Sequence, residues 1–164
     1  MTVSTFYSDA GTGPDTVDGE TEESTAGTFA TLRAAAGDFA APSGVSMIAA
    51  VGTNAGSNFA QFDRSALLFN TGPTMPDIDT VDGVTLELVA IERYDTFAEA
   101  GSVSVVLSNP ASNTNLVIAD YTTFTSDVKQ ATDLTLASLT VDSATYNVFT
   151  LNATGRSNVS LTSI

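Results

Sequence analysis

The sequence predicts an all-β protein, an antiparallel β-sandwich of jelly-roll type. Three observations predict it. Apolar and polar residues alternate over short stretches, as in half-buried strands, and no helical periodicity is sustained over three turns. Thr, Ser, Val and Ala dominate, and Gly and Pro punctuate the chain, a balance that favours strands and turns. Turn signals return about every ten residues or slightly more, the spacing of a sandwich. The chain has 164 residues, 43% of them hydrophobic and 15% charged. That is enough to bury a core, and no linker or internal repeat is visible, so residues 1–164 are expected to form a single domain.

Residues 2–7 predict a first strand. Residues 9–26 are polar and acidic, contain Gly11, Gly13, Pro14 and Gly19, and predict a long loop. Residues 27–36, GTFATLRAAA, predict a strand. Within 45–53, Val45, Met47, Ala49 and Val51 share one face of another. Residues 59–70 predict the strand that carries Arg64. In 83–94, Val84, Leu86, Leu88 and Ala90 alternate with Thr85, Glu87, Val89 and Ile91. Both sets are fairly apolar, which predicts a centrally placed strand. Val103, Val105 and Leu107 mark the next strand, closed by Asn109-Pro110. Strands near 115–124, 133–141 and 145–151 follow, and a short helix is expected after Asn152.

Charge narrows the classes of partner. Nineteen acids stand against five bases, Arg33, Arg64, Arg93, Lys129 and Arg156, for a formal net charge of -14. So few and scattered cations predict no nucleic-acid face and no anionic membrane surface. No run approaches the ~18 apolar residues of a membrane-crossing helix. The start, MTVSTFYSDAGTG, has neither a basic nor an apolar signal region. It predicts a chain made in the cytoplasm or already relieved of a leader. With no cysteine, disulfides are excluded.

With neither His nor Cys, the usual nucleophile–base triads and ordinary zinc or copper sites are unavailable. Ser–Lys chemistry would have to use Lys129, which stands in the polar stretch SDVKQATD and predicts a solvated side chain. The chain has no Trp, so paired carboxylates for glycoside hydrolysis would lack the usual stacking platforms. No enzyme activity is expected. Two acid clusters are calcium candidates, because a hard cation needs several oxygens on a flexible loop. The first is Asp15, Asp18 and Glu20, with Glu22 and Glu23 beside them. The second is Asp77, Asp79 and Asp82, followed by Gly83. Its spacing departs from an EF-hand, and the plainer reading of each cluster is a solvated loop, with Asp82-Gly83 as a turn. Arg64 lies between Phe62 and Leu67-Leu68, so once buried it needs a salt bridge or a set of carbonyl contacts, or else it binds a carboxylate or sugar. Asn152-Ala-Thr154 and Asn158-Val-Ser160 match the N-glycosylation pattern, a chance match in a chain this rich in Ser and Thr.

Phe62-x-Arg64-x-x-Leu67-Leu68-Phe69, a loop with Pro73 and Pro76, and Val84-x-Leu86-x-Leu88 together resemble the DNRLRE-type carbohydrate-binding-like jelly roll. TYNVFTLNATGRSNVS resembles that family's aromatic strand and short helical turn, and SNPASNTNLVIADYTTF resembles a segment of uncharacterised phage and environmental bacterial proteins. The resemblance spans about residues 27–160. This chain lacks the family's usual Trp and stops at Ile164, where the family continues with closing strands. A missing closing strand would leave an open edge for a neighbouring copy to fill. The resemblance implies a non-catalytic virion structural or surface protein, a decoration, fibre or adhesion component made in the host cytoplasm, whose partners are copies of itself or other virion proteins. The alternative is a carbohydrate-binding module of a secreted enzyme or adhesin, extracellular or on the cell surface. Its glycan platforms would be Tyr94 and Tyr121, with Tyr7 and Tyr146 as further aromatics.

Overall fold

A computed structural model describes residues 3–7, 17–42, 51–54, 58–71, 80–93, 101–124 and 127–159. It is mostly strands in small antiparallel sheets, with few helices. Contacts gather into two compact units. One draws on Met1–Asp77, Ser108–Ser126 and Leu161–Ile164, the other on Ile78–Leu107 and Asp127–Ser160. Each unit is assembled from separate stretches, so no linker marks a boundary in the sequence.

The first unit holds β1 (Asp18–Glu23), α1 (Phe29–Arg33), β2 (Phe39–Ala41), β3 (Val51–Asn54) and β4 (Asn58–Leu67). Its sheet has the order β2-β1-β4-β3, all neighbours antiparallel. The acidic stretch expected to be a loop therefore supplies β1, an inner strand. Tertiary pairing overrides its low strand propensity: β1 pairs with β4 from Asp18↔Leu67 to Glu23↔Phe62, and with β2 from Glu20↔Ala41 to Glu22↔Phe39. Gly19 is needed there, because a Cβ would stand 2.0 Å from the Ala41 carbonyl oxygen.

Register sorts the side chains by face, since directly opposed residues point the same way. Thr21, Arg64, Ala66 and Ala40 share one face with Val17 and Leu68, and the core of Val17, Ala66, Leu116 and Phe124 forms on that side. Asp18, Glu20, Glu22 and Asp63 share the other.

Residues 27–36 form α1 rather than a strand. The Thr28 side chain caps the helix by accepting from the Thr31 amide at 3.2 Å, and Ala, Leu and Arg favour the helix once it is started. Phe29 then meets Phe59 and Phe62 edge to face, with centroids 5.7 and 5.4 Å apart. Residues 115–124 are likewise not a strand, because Ile118–Phe124 coil as a 3-10 helix. The buried Asp120 carboxylate accepts from the Ala111 amide at 2.8 Å and the Val117 amide at 2.9 Å. Thr122 and Thr123 hydroxyls donate to Ala119 and Asp120 carbonyls. These local side-chain bonds displace a sheet ladder. Val3 and Tyr7 are exposed, and residues 3–7 form no strand. Of the 45–53 strand only its end falls within the described residues, as the start of β3.

The second unit holds β5 (Thr85–Val89), β6 (Ser102–Val103), β7 (Leu134–Thr135), β8 (Tyr146–Thr150) and α2 (Ala153–Ser157). β5 pairs with β8 and β6 with β7, each pair a two-stranded antiparallel sheet. The expected central strand is thus one of two in its sheet. Of the stretch 133–141 only Leu134–Thr135 is strand, followed by a 3-10 turn at Leu136–Ser138 capped by Thr135. The helix expected after Asn152 is α2, with the Asn152 side chain accepting from the Gly155 amide at 2.9 Å.

Gly37 closes α1 into β2 at φ 81, in the left-handed region, and a Cβ there would stand 2.6 Å from Cβ of Tyr121. Gly37→Ala combines left-handed strain with overpacking and is expected to cost roughly 2 kcal/mol or more. Chemical denaturation checks this, and a variant as stable as the parent would refute the account of that turn.

Candidate functional site

The sheet, α1 and the 3-10 helix converge on Arg64. Its guanidinium lies 3.9 Å from the Tyr121 ring centroid and 5.2 Å from that of Phe62. Nη1 donates to the Tyr121 carbonyl and Nη2 to the Arg33 carbonyl, the latter at 2.7 Å. The Tyr121 hydroxyl donates to the Leu32 carbonyl at 2.7 Å. Leu32 and Arg33 end α1; the Arg33 carbonyl accepts from Arg64, and the Leu32 carbonyl accepts from the Tyr121 hydroxyl besides the Ala35 amide at 3.2 Å. Burial, joined by the nearby Arg33 charge, lowers the Arg64 pKa, with the Tyr121 ring opposing. Arginine stays charged regardless. Of the arrangements the sequence left open for Arg64, the structure forms the carbonyl contacts.

The same geometry corrects Tyr121 as a glycan platform. Its exposure is 0%, and the Arg64 guanidinium covers its ring, so no face is left on which a sugar could stack. Tyr94 lies outside the described residues, as do Asp15, Asp77 and Asp79.

The remaining acids of the two calcium candidates sit differently from the loops expected. Asp18 and Glu20 are fixed on β1, two residues apart on one face, while Asp82 is exposed ahead of β5. Among the described residues no group of three acids is placed to hold a metal ion. What β1 and β4 assemble instead is a row of like charges. Glu22 stands opposite Asp63, next to the Glu20↔Ser65 pair. Burial pushes the Glu22 carboxyl above its ordinary pKa, and Asp63 and Asp38 push it further. Burial also raises Asp63; the Gln61 amide, donating to both its oxygens at 2.9 and 3.1 Å, offsets part of this, and Glu20 adds to the rise. Glu23 points the other way and has work there, accepting from the Thr25 amide at 3.0 Å and the Gly37 amide at 3.2 Å.

In the second unit, Lys129 pairs with Asp133 four residues on. The ammonium holds the Asp133 carboxyl below the ordinary carboxylate range, with Ser104 and Ser102 adding to the effect. Both glycosylation-pattern asparagines carry structure. Asn152 donates to the Lys129 carbonyl at 2.8 Å besides capping α2, and Asn158 donates to the buried Gln130 side chain at 2.8 Å. Asn147, itself buried, brackets Thr140 by accepting from its amide at 2.8 Å and donating to its carbonyl at 2.9 Å.

The surface best suited to recognition is one that the sequence reading passed over. Thr85↔Thr150, Glu87↔Val148 and Val89↔Tyr146 are cross-strand pairs on one face of the β5–β8 ribbon, and all six side chains are exposed. Val89 is 37% exposed, Val148 44% and Tyr146 58%; Ile91, two residues past Val89, is 72% exposed. The opposite face carries Leu86, Leu88 and the buried Phe149 and Asn147. The alternation of β5 was legible, but its outward set was read as a second inward one.

Set against family models, curated proteins and solved structures, the chain matches none of them.

Tyr121→Phe removes the hydroxyl bond to the Leu32 carbonyl, which keeps the Ala35 amide, and is expected to cost about 1 kcal/mol, while Arg64→Ala, which frees two carbonyls and empties the ring stack, costs more, about 2–4 kcal/mol. Urea melts of both variants check the order, and equal or negligible losses would refute it.

For Glu22 and Asp63 the folded-state pKa lies above the unfolded one, so the folded state is penalised at neutral pH and relieved as pH falls through the folded value. Glu22→Gln should therefore add about 0.5 kcal/mol near pH 7. The gain should shrink as the pH falls and be gone by about pH 3, below the ordinary unfolded-state range of a glutamate. Thermal melts at the two pH values read this, and a gain independent of pH would count against it.

Proposed function

We propose that the protein is a non-catalytic structural or surface component that works by packing its β-faces against other proteins. The observation that carries this reading is the exposed ribbon face of Val89, Tyr146 and Val148, with the exposed Ile91 just beyond the end of β5. Large apolar side chains gathered on one face, rather than scattered, are the usual mark of a protein-contact surface. The chemistry of the chain supports the same class: without His or Cys it has none of the usual nucleophile–base pairs.

The finer form of this reading is a virion component of decoration, fibre or adhesion type, on a sandwich of the DNRLRE-type kind. The Arg64-bearing β4 and the alternating β5 are the elements on which that likeness rests. The partners are then neighbouring virion proteins, and the location is the particle, assembled in the host cytoplasm.

A second reading, a carbohydrate-binding module, is favoured by one observation, the exposed Tyr146 ring beside Val89. An aromatic on an open face can stack on a sugar, and Tyr146 would take the place of the enclosed Tyr121.

Fractionation of particles from the encoding organism, followed by immunodetection of the chain, separates the two. Copurification with particles through a density gradient, together with a blank glycan array, is the expected result. Glycan binding lost on Tyr146→Ala would install the second reading, and recovery only in the particle-free fraction would overturn the first.

A further inference from the structure

The β5–β8 face carries a charge at its centre, and that charge selects among occupants. The ribbon has five cross-strand pairs, from Thr85↔Thr150 to Val89↔Tyr146, and Glu87↔Val148 is the middle one. Glu87 is exposed on the same side as Val89, Tyr146 and Val148. Val148 lies across from the carboxylate and Val89 and Tyr146 to one side of it, with Thr85 and Thr150 to the other, so the apolar residues do not form an uninterrupted stripe.

A second copy fits this face poorly. Two identical faces pack about a two-fold axis, so Glu87 of one copy can meet only residues of this same face, Thr85, Glu87, Val89, Tyr146, Val148 or Thr150, none of which is a cation. An axis across the strands at the middle pair would set Glu87 against Glu87 across a sheet spacing of about 10 Å with water excluded between them, and an axis along the strands would bury Glu87 against Val148 with no cation to pair it. Like charges desolvated in this way cost several kcal/mol. The chain's net charge of -14 adds repulsion at longer range. A partner that presents a cation at that point turns the same carboxylate from an obstacle into a contact.

We propose that this face docks a different protein, whose contacting surface is apolar and places a Lys or Arg against Glu87. The proposal rests on the packing role given above and deepens it: the apolar residues supply contact area, and Glu87 excludes the chain's own copies and orients the right partner. Its apolar neighbours shield the pair from water once docked, so the ion pair gains strength in the complex that it would lack on an open surface.

The protein's own Glu87→Lys variant serves as the probe, since it presents the same apolar face with a cation at the centre. Parent, variant and an equimolar mixture are compared by sedimentation velocity at about 50 and 500 mM salt, with circular dichroism melts confirming that each chain is folded. The mixture is expected to associate at least about tenfold more tightly than either chain alone, to weaken at high salt, and to lose this excess when Val148→Asp is introduced into either chain. Glu87→Arg, which sets a cation at the same point, is a second probe with the same expected result. Self-association of the parent as strong as that of the mixture, or no excess association with either probe, would overturn the proposal. Failure here leaves particle association untouched, and failure of particle association leaves this charge selection untouched, so the two can be told apart.

Discussion

The Arg64 guanidinium ties together three stretches of backbone that lie far apart in the sequence. It is carried by β4, covers the Tyr121 ring, and donates to carbonyls of Tyr121 and Arg33. Tyr121 completes the tie through its hydroxyl bond to Leu32. A buried cation is costly unless its donors are satisfied, so its position fixes where the end of α1 and the 3-10 helix must be. The packing around it follows from that constraint. Gly37 must be glycine because the chain turns against Tyr121, and Glu23 closes the same turn through the Gly37 amide. Arg64, for which the sequence left a binding role as the alternative to a structural one, is consumed in holding the first unit together.

The two faces of the first sheet are held by different physics. On the Arg64 side, burial of Val17, Ala66, Leu116 and Phe124 favours folding. On the other, Glu20, Glu22 and Asp63 oppose it, since carboxylates facing one another across a strand pair repel. The sheet exists because the first effect exceeds the second. The repulsion is only partly screened, because Asp63 is buried and Glu20 and Glu22 are half-buried, so the core on the Arg64 side has to offset desolvation of these carboxylates as well.

How legible each element was depended on whether its cause was local. β4, β5, β8 and α2 could be read because alternation and the Asn152 cap are properties of neighbouring residues. β1 could not, because nothing in DGETEE favours a strand until β2 and β4 flank it. α1 is only five residues long, too short for a helical period to show, and its signal was the Thr28 cap. The 3-10 helix hid behind an apolar–polar pattern, and its cause is a single acid, Asp120, whose acceptance of the Val117 amide is the one local clue. The Arg64–Tyr121 contact spans 57 residues and no spacing rule reaches it. For the candidate sites the same holds. Burial of Tyr121 is a tertiary fact, and exposure of Tyr146 follows from the fold turning the Asn147 and Phe149 side of β8 inward.

β5 shows why one signal served two explanations. A strand that is apolar on both faces reads as the middle of a sheet packed on both sides, because within one chain that is the usual way to cover both faces. β5 instead lies in a two-stranded sheet, with Leu86 and Leu88 turned inward and Val89 turned out. The hydrophobic effect does not distinguish cover supplied by the same chain from cover supplied by another. A second apolar face that the fold leaves exposed is therefore the same signal with a different source of cover. The outward set is also where a charge, Glu87, is admitted, while the inward set on β5 admits none. An inward charge would have to be satisfied permanently by the fold, whereas an outward one is solvated until a partner arrives and can choose that partner by sign.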